Sequence, residues 1–219
     1  MMKRSIIRCI MIICFMVLLC FMVTSTQWRI EKHSPLDALP EQTAFFFPAG
    51  KNSEQYRFTT SFCWNHGNTP EAADVVINEI GRGENGVLYS AKINIDADFD
   101  ERYSLGFDRF ELGYFYVMRD KIYLIKNQEV VDTFQKEEEL IKAGTVVCQE
   151  IEKKDSIEGE KGWHEYITVS GDICEFHSYN DLVETGYYEG FAWERGKGLI
   201  SYWSGFGAGR DSIELELLD

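Results

Sequence analysis

Positive charge is in short supply. The 219 residues carry 22 Lys and Arg against 36 Asp and Glu, a formal net charge of -14. Lys3, Arg4 and Arg8 fall in the first 25 residues, which hold no acid, so the rest of the chain is more acidic still. A body of that sign repels nucleic acid and anionic lipid. Cysteine motifs are missing too. No C-x-x-C occurs, which leaves thiolate zinc sites and thioredoxin-like redox pairs without support. Proline is rare, with four residues, and no low-complexity tract or internal repeat is present. No Gly-Lys-Ser or Gly-Lys-Thr is found, and neither G-x-S-x-G nor H-E-x-x-H. The sequence signatures of phosphate loops, serine-hydrolase elbows and zinc proteases are therefore lacking.

What is present is a core-forming, strand-rich composition. Apolar residues reach 45% and aromatics 14%. The apolar set is rich in Tyr, Phe, Trp, Val and Ile, which fit a pleated surface better than a helix. The N-terminus is different in kind. Three basic residues precede Cys9–Val23, a run of 15 residues without charge. Val23, Thr24 and Ser25 suit a signal-peptidase cut. Ile6 and Ile7 lengthen the run across Arg8, and Trp28 suits an interfacial anchor. Residues 1–28 thus read as a signal peptide or an N-in membrane anchor through residues 6–23, with the body extracytoplasmic. A lipid anchor is disfavoured, since Leu18 and Leu19 precede Cys20 where small residues are needed. Residues 29–42 read as a linker with two prolines, and 43–219 as a single β-rich domain.

Within the body, Thr43–Phe47 and Tyr56–Cys63 are strand candidates. Thr69, Pro70 and Glu71 resemble a helix start, and Ala73, Val76, Ile77 and Ile80 share a helical face that Gly81 ends. The Val75–Ile77 run also suits a strand. A long alternating strand covers 87–100, followed by a meander with turns near Arg119–Asp120 and Asn127–Gln128. Residues 133–144 predict a short helix closed by Gly144. Ser170–Gly171 predicts a two-residue hairpin turn that sets Ile167 opposite Cys174 and His164 opposite His177. Ile167, Val169, Cys174 and Phe176 then face the core, with Trp163 on the same side. In the last strand Ile213, Leu215 and Leu217 point inward, while Glu214 and Glu216 point out.

The stretch "FAWERGKGLISYWSGFGAGRD" (191–211) holds five glycines. A phosphate-binding glycine cluster must open a helix, whereas the residues after Gly209 alternate with period two. These glycines read as turns, with Gly196–Lys197 as a hairpin that pairs Trp193 with Ile200 and Phe191 with Tyr202. On Gly196, Gly198, Leu199, Ile200 and Tyr202 the chain resembles the C-terminal end of uncharacterised secreted or membrane-anchored β-rich proteins of Gram-positive bacteria. Similar hairpins close the half-barrel sheets of lipoprotein-carrier-like proteins. The resemblance spans about 30 residues, a length at which turn chemistry alone selects the pattern. It implies a curved antiparallel sheet and carries over no catalytic residue. The expected fold is mainly β (α+β): a curved antiparallel sheet or half-barrel meander with one or two short helices, plus an N-terminal hydrophobic helix.

Two constellations offer chemistry. His164, His177 and Glu175 would form a divalent metal site if the Ser170–Gly171 register holds, and no other cofactor is suggested. Tyr187, Tyr188, Tyr202, Trp203 and Phe206 cluster near the last hairpin and suit a ligand platform. Asp96, Asp98 and Asp100 begin like a calcium loop, but its sixth and twelfth positions hold Glu101 and Phe107, which a calcium loop does not accept. Cys63, Cys148 and Cys174 read as buried thiols. The expected function is an envelope-tethered module that binds an envelope ligand or protein. The alternative is a small secreted hydrolase using a carboxylate pair or the His164/His177 pair.

Overall fold

The computed structural model describes residues 41–46, 54–64, 67–94, 111–156, 162–182, 186–207 and 212–218. At 54, 55, 60–64, 67–71, 111 and 156 it describes backbone alone. The N-terminal apolar run, Cys9–Val23, and the Asp96–Asp100 row lie outside these residues. A compact unit spans Leu39–Asp219.

Twelve strands form one antiparallel sheet. They are β1 (Glu54–Trp64), β2 (Gly67–Arg82), β3 (Gly86–Asn94), β4 (Glu111–Met118), β5 (Lys121–Ile125), β6 (Thr145–Gln149), β7 (Lys153–Ser156), β8 (Trp163–Ser170), β9 (Ile173–Asn180), β10 (Tyr187–Glu194), β11 (Gly198–Phe206) and β12 (Ser212–Leu217). Helices α1 (Gln128–Thr133) and α2 (Glu137–Ala143) follow β5. The sheet order is β6-β5-β4-β3-β2-β1-β12-β11-β10-β9-β8-β7. Each strand therefore lies beside its sequence neighbour, except that β1 pairs with β12 and the sheet is left open between β6 and β7. It curls nonetheless: Cys174 on β9 reaches Gln149 on β6, with 3.5 Å between Sγ and the carbonyl oxygen.

The curl encloses the core. Phe58, Val75, Phe115, Phe176, Phe191, Trp193, Leu199 and Leu215, drawn from seven strands, are at most 2% exposed in one cluster. Phe115 meets Trp193 and Phe191 edge-on, with centroids 5.6 and 5.8 Å apart. Edge-to-face geometry suits the ring quadrupoles. Residues 43–46 close one end of this core. Thr43 N–H donates to Met118 O at 2.8 Å, and Gly196 N–H donates to Ala44 O at 2.7 Å. Phe45 and Phe46 are thereby buried, and the Arg195 guanidinium lies 4.4 Å over the Phe45 ring.

The outer face is treated differently in its two halves. Over β3–β5, helices α1 and α2 bury Leu88, Tyr114, Tyr116 and Ile125 with Val131 and Leu140. The Asn127 side chain caps α1 by accepting from Glu129 N–H. Glu137 in the first turn of α2 accepts from Glu84 N–H (3.0 Å) and Asn85 N–H (3.2 Å), tying the helix to the β2–β3 turn. Over β8–β11, no described helix covers the sheet.

Several expectations are corrected. The helix over Thr69–Gly81 is strand β2: Ala73, Val75 and Ile77 are buried while Ala72 and the residues between them are more exposed, a period of two. Thr69 and Pro70 pair with Phe62 and Ser61. The β-branched run, with partners on both sides, overrides the cap-like start. Thr43–Phe46 is a turn, closed by the Phe46 N–H donating to Thr43 O at 3.1 Å. Asn127–Gln128 starts a helix instead of a strand turn. The hairpin after β10 has a three-residue turn, Arg195–Lys197. Phe191 pairs with Tyr202 as expected, but a bulge at Ala192/Trp193 sets Trp193 opposite Leu199. Gly196 and Gly198 take φ of 81° and 92°, so these glycines serve the turn. Three other expectations agree with the structure. The turn at 119–120, the helix before Gly144 and the inward Ile213 and Leu215 are all present.

Candidate functional site

The β8–β9 hairpin turns on Gly171–Asp172, with Ser170 opposite Ile173 and Gly171 at φ +61°. The register is two residues from the expected one. Val169 pairs with Cys174, and Ile167 with Phe176, so the core face survives. Partners on the outer face change. His164 pairs with Tyr179, and Tyr166 pairs with His177. The two histidines are diagonal neighbours, each stacked on a tyrosine: His164 on Tyr179 at 4.8 Å and His177 on Tyr166 at 4.6 Å.

His164 has both ring nitrogens engaged. Nδ1 lies 2.8 Å from Asp155 Oδ2, and Nε2 lies 2.9 Å from Asp181 Oδ2. A neutral imidazole donates from one nitrogen only, so two carboxylate partners select the imidazolium. The Asp155 hydrogen bond, with Asp181 behind it, raises the His164 pKa. No nitrogen lone pair is left for a metal. His177 Nε2 sits 3.7 Å from Glu175 Oε2, and Glu175 is opposite Thr168, not beside His164. The expected His164–His177–Glu175 triad is not assembled. Among the described residues no group of three His, Cys, Asp or Glu is placed to hold a metal ion.

The aromatic cluster divides between the two faces. Successive residues on a strand point to opposite sides. Tyr187, Tyr202 and Phe206 fall on the inner side, and Tyr188 and Trp203 on the outer side. Tyr202 is 4% exposed in the core. Its hydroxyl donates to Glu189 Oε1 at 3.3 Å, and burial followed by the Glu189 charge raises its pKa. Glu189 also pairs with Lys126, whose ammonium lies 5.6 Å from the Tyr187 ring centroid. Tyr187 meets Phe206 at 5.5 Å. The Glu189 carboxylate is buried on the inner face. Its partners are a lysine and a tyrosine.

Outside, Trp203 joins the histidine face. Gly190 pairs with both Trp203 and His177. A Cβ on Gly190 would come within 2.1 Å of the indole, so the Trp203 ring lies directly over the glycine. From there the rings continue: Trp203 to His177 at 5.4 Å, then His177 to Tyr166. A second row pairs Tyr188 with Tyr179 and Tyr179 with His164. All six side chains are half-buried. Carboxylates edge the patch: Glu214 opposite Trp203, Glu175, Asp155 and Asp181. The sequence signalled Tyr188, Trp203 and the two histidines. Tyr179 and Gly190 were missed, and the alternation through β9 and β10 was the signal for them. No protein-family model matches the chain, and no curated protein matches it either.

Proposed function

We propose that the protein is a binding module whose outer face over β8–β11 takes a glycan, and that residues 1–28 send or anchor this body outside the cytoplasm. One observation carries the reading. Six ring side chains stand in two rows on a sheet face that no described helix covers, and the largest of them lies flat over Gly190. The Trp203 indole, seated over Gly190, offers apolar ring area at low entropic cost, since packing already limits its rotamers, and the stacked His–Tyr pairs flank it. A pyranose has one apolar face to set on such rings, and its hydroxyls donate to acceptors at the edge. Glu175, Glu214, Asp155 and Asp181 are such acceptors. The acidic body disfavours anionic polymers, so an uncharged or amino-bearing sugar fits best.

The test is calorimetric titration of the full chain with chitohexaose, cellohexaose and soluble peptidoglycan fragments. At least one of these is expected to bind. Trp203→Ala should weaken it about tenfold, on the order of 1.4 kcal/mol, which is within the range of one stacking contact. Wild-type and variant chains should share one far-ultraviolet dichroism spectrum. Equal affinity in both chains would remove the platform from the reading.

A further inference from the structure

Strands β6 and β9 are far apart in the sheet order, yet they pack against each other and their cysteines lie in one core cluster. Cys148 and Cys174 are both fully buried with free thiols. They share the inner core with Ile122, Phe176 and Trp193. Cys174 Sγ donates to the carbonyl oxygen of Gln149, the residue after Cys148, with 3.5 Å between sulfur and oxygen. The contact runs from a side chain to the backbone across the line where the curled sheet returns on itself. Arg195 braces the same line on the outside, with Nη1 and Nη2 at 3.0 and 2.6 Å from the Glu150 carboxylate and Nε at 3.4 Å from Asp172.

We propose that Cys148 and Cys174 are a disulfide site that seams β6 to β9. The bond forms by exchange with a disulfide donor such as oxidised glutathione. One cysteine thiolate attacks the donor disulfide and releases one donor thiolate. The second cysteine thiolate attacks the mixed disulfide and releases the other. Two electrons pass from the cysteine pair to the donor, and the two thiol protons end on the donor thiols. Burial raises the Cys148 pKa, so exchange belongs to the folding chain before the core shuts. The pair needs no assumption about where the body resides, because the donor is supplied in the test.

The full chain in detergent is unfolded with reductant and refolded in a buffer of oxidised and reduced glutathione. Remaining thiols are then blocked with iodoacetamide, and peptides are mapped without reduction. The expected product links the Cys148 and Cys174 peptides, with Cys63 alkylated. Its melting temperature should fall by roughly 5–10 °C on adding dithiothreitol, since the bond closes a loop of about 25 residues. The Cys148→Ala/Cys174→Ala chain should melt alike with and without reductant. Refolded wild-type chain with Cys148 and Cys174 both alkylated, or with either linked to Cys63, would overturn the proposal.

Discussion

Gly190 shows how one residue shapes the outer face. It lacks a Cβ on a strand between two aromatic neighbours, and the Trp203 ring fills that space. Gly190→Ala would set a methyl 2.1 Å from indole carbons, so the ring must move. Overpacking of this kind costs about 1–3 kcal/mol. Urea unfolding should record a loss of that size, and glycan affinity should fall with it, because the displaced indole no longer lies flat. A variant as stable as wild type, with affinity retained, would mean that the Trp203 position is unimportant. Residue-scale parity was legible in the sequence. Tyr187 and Tyr188 are adjacent, so they must face opposite ways on a strand, and the five-residue cluster could have been divided on that ground alone. Proximity along the chain hid this. Tyr179 went unremarked for the same reason, as it lies far from the last hairpin in sequence.

At the scale of elements, alternation was legible and register was not. Ser170–Gly171 and Gly171–Asp172 are both acceptable two-residue turns. Moving the turn by one residue shifts the pairing by two, which keeps every side chain on its face but changes its partner. That is why Ile167, Cys174 and Phe176 were placed in the core correctly while His164 and His177 were set face to face wrongly. Strand β2 failed in another way. Thr69, Pro70 and Glu71 are local helix signals, but Val75 and Ile77 bury on a sheet with partners on both sides, and tertiary pairing outweighs a cap. The short edge strand β7 yields a prediction. It is held at Asp155 by His164, whose pKa in the folded chain is raised above the usual 6.5. A raised histidine pKa stabilises fully below the unfolded value, and the gain fades as pH rises through the folded value. His164→Gln should therefore lower the urea midpoint most near pH 6, with the deficit shrinking as pH rises to about 9. A deficit constant over that range would show that the imidazolium does not hold β7.

For the whole molecule, the distribution of rings over the two faces and of charge at their edges connects fold to function. The inner face holds Trp193, Phe115, Phe176 and Phe191 and is a packed core. The outer face over β3–β5 is closed by α1 and α2. The outer face over β8–β11 keeps its rings half-exposed within an acidic body. A curved antiparallel sheet was legible from composition, alternation and turn chemistry. The identity of the uncovered face was not, because it depends on where two short helices pack. The most direct test uses full-length chain with ¹⁵N-labelled histidine, titrated by NMR with whichever oligosaccharide binds in calorimetry. Binding at the proposed face predicts saturable shifts of the His177 and His164 ring nitrogens, absent in Trp203→Ala and little changed by added salt. Binding without movement of either ring, or no binding by any oligosaccharide, would contradict a glycan site on β8–β11.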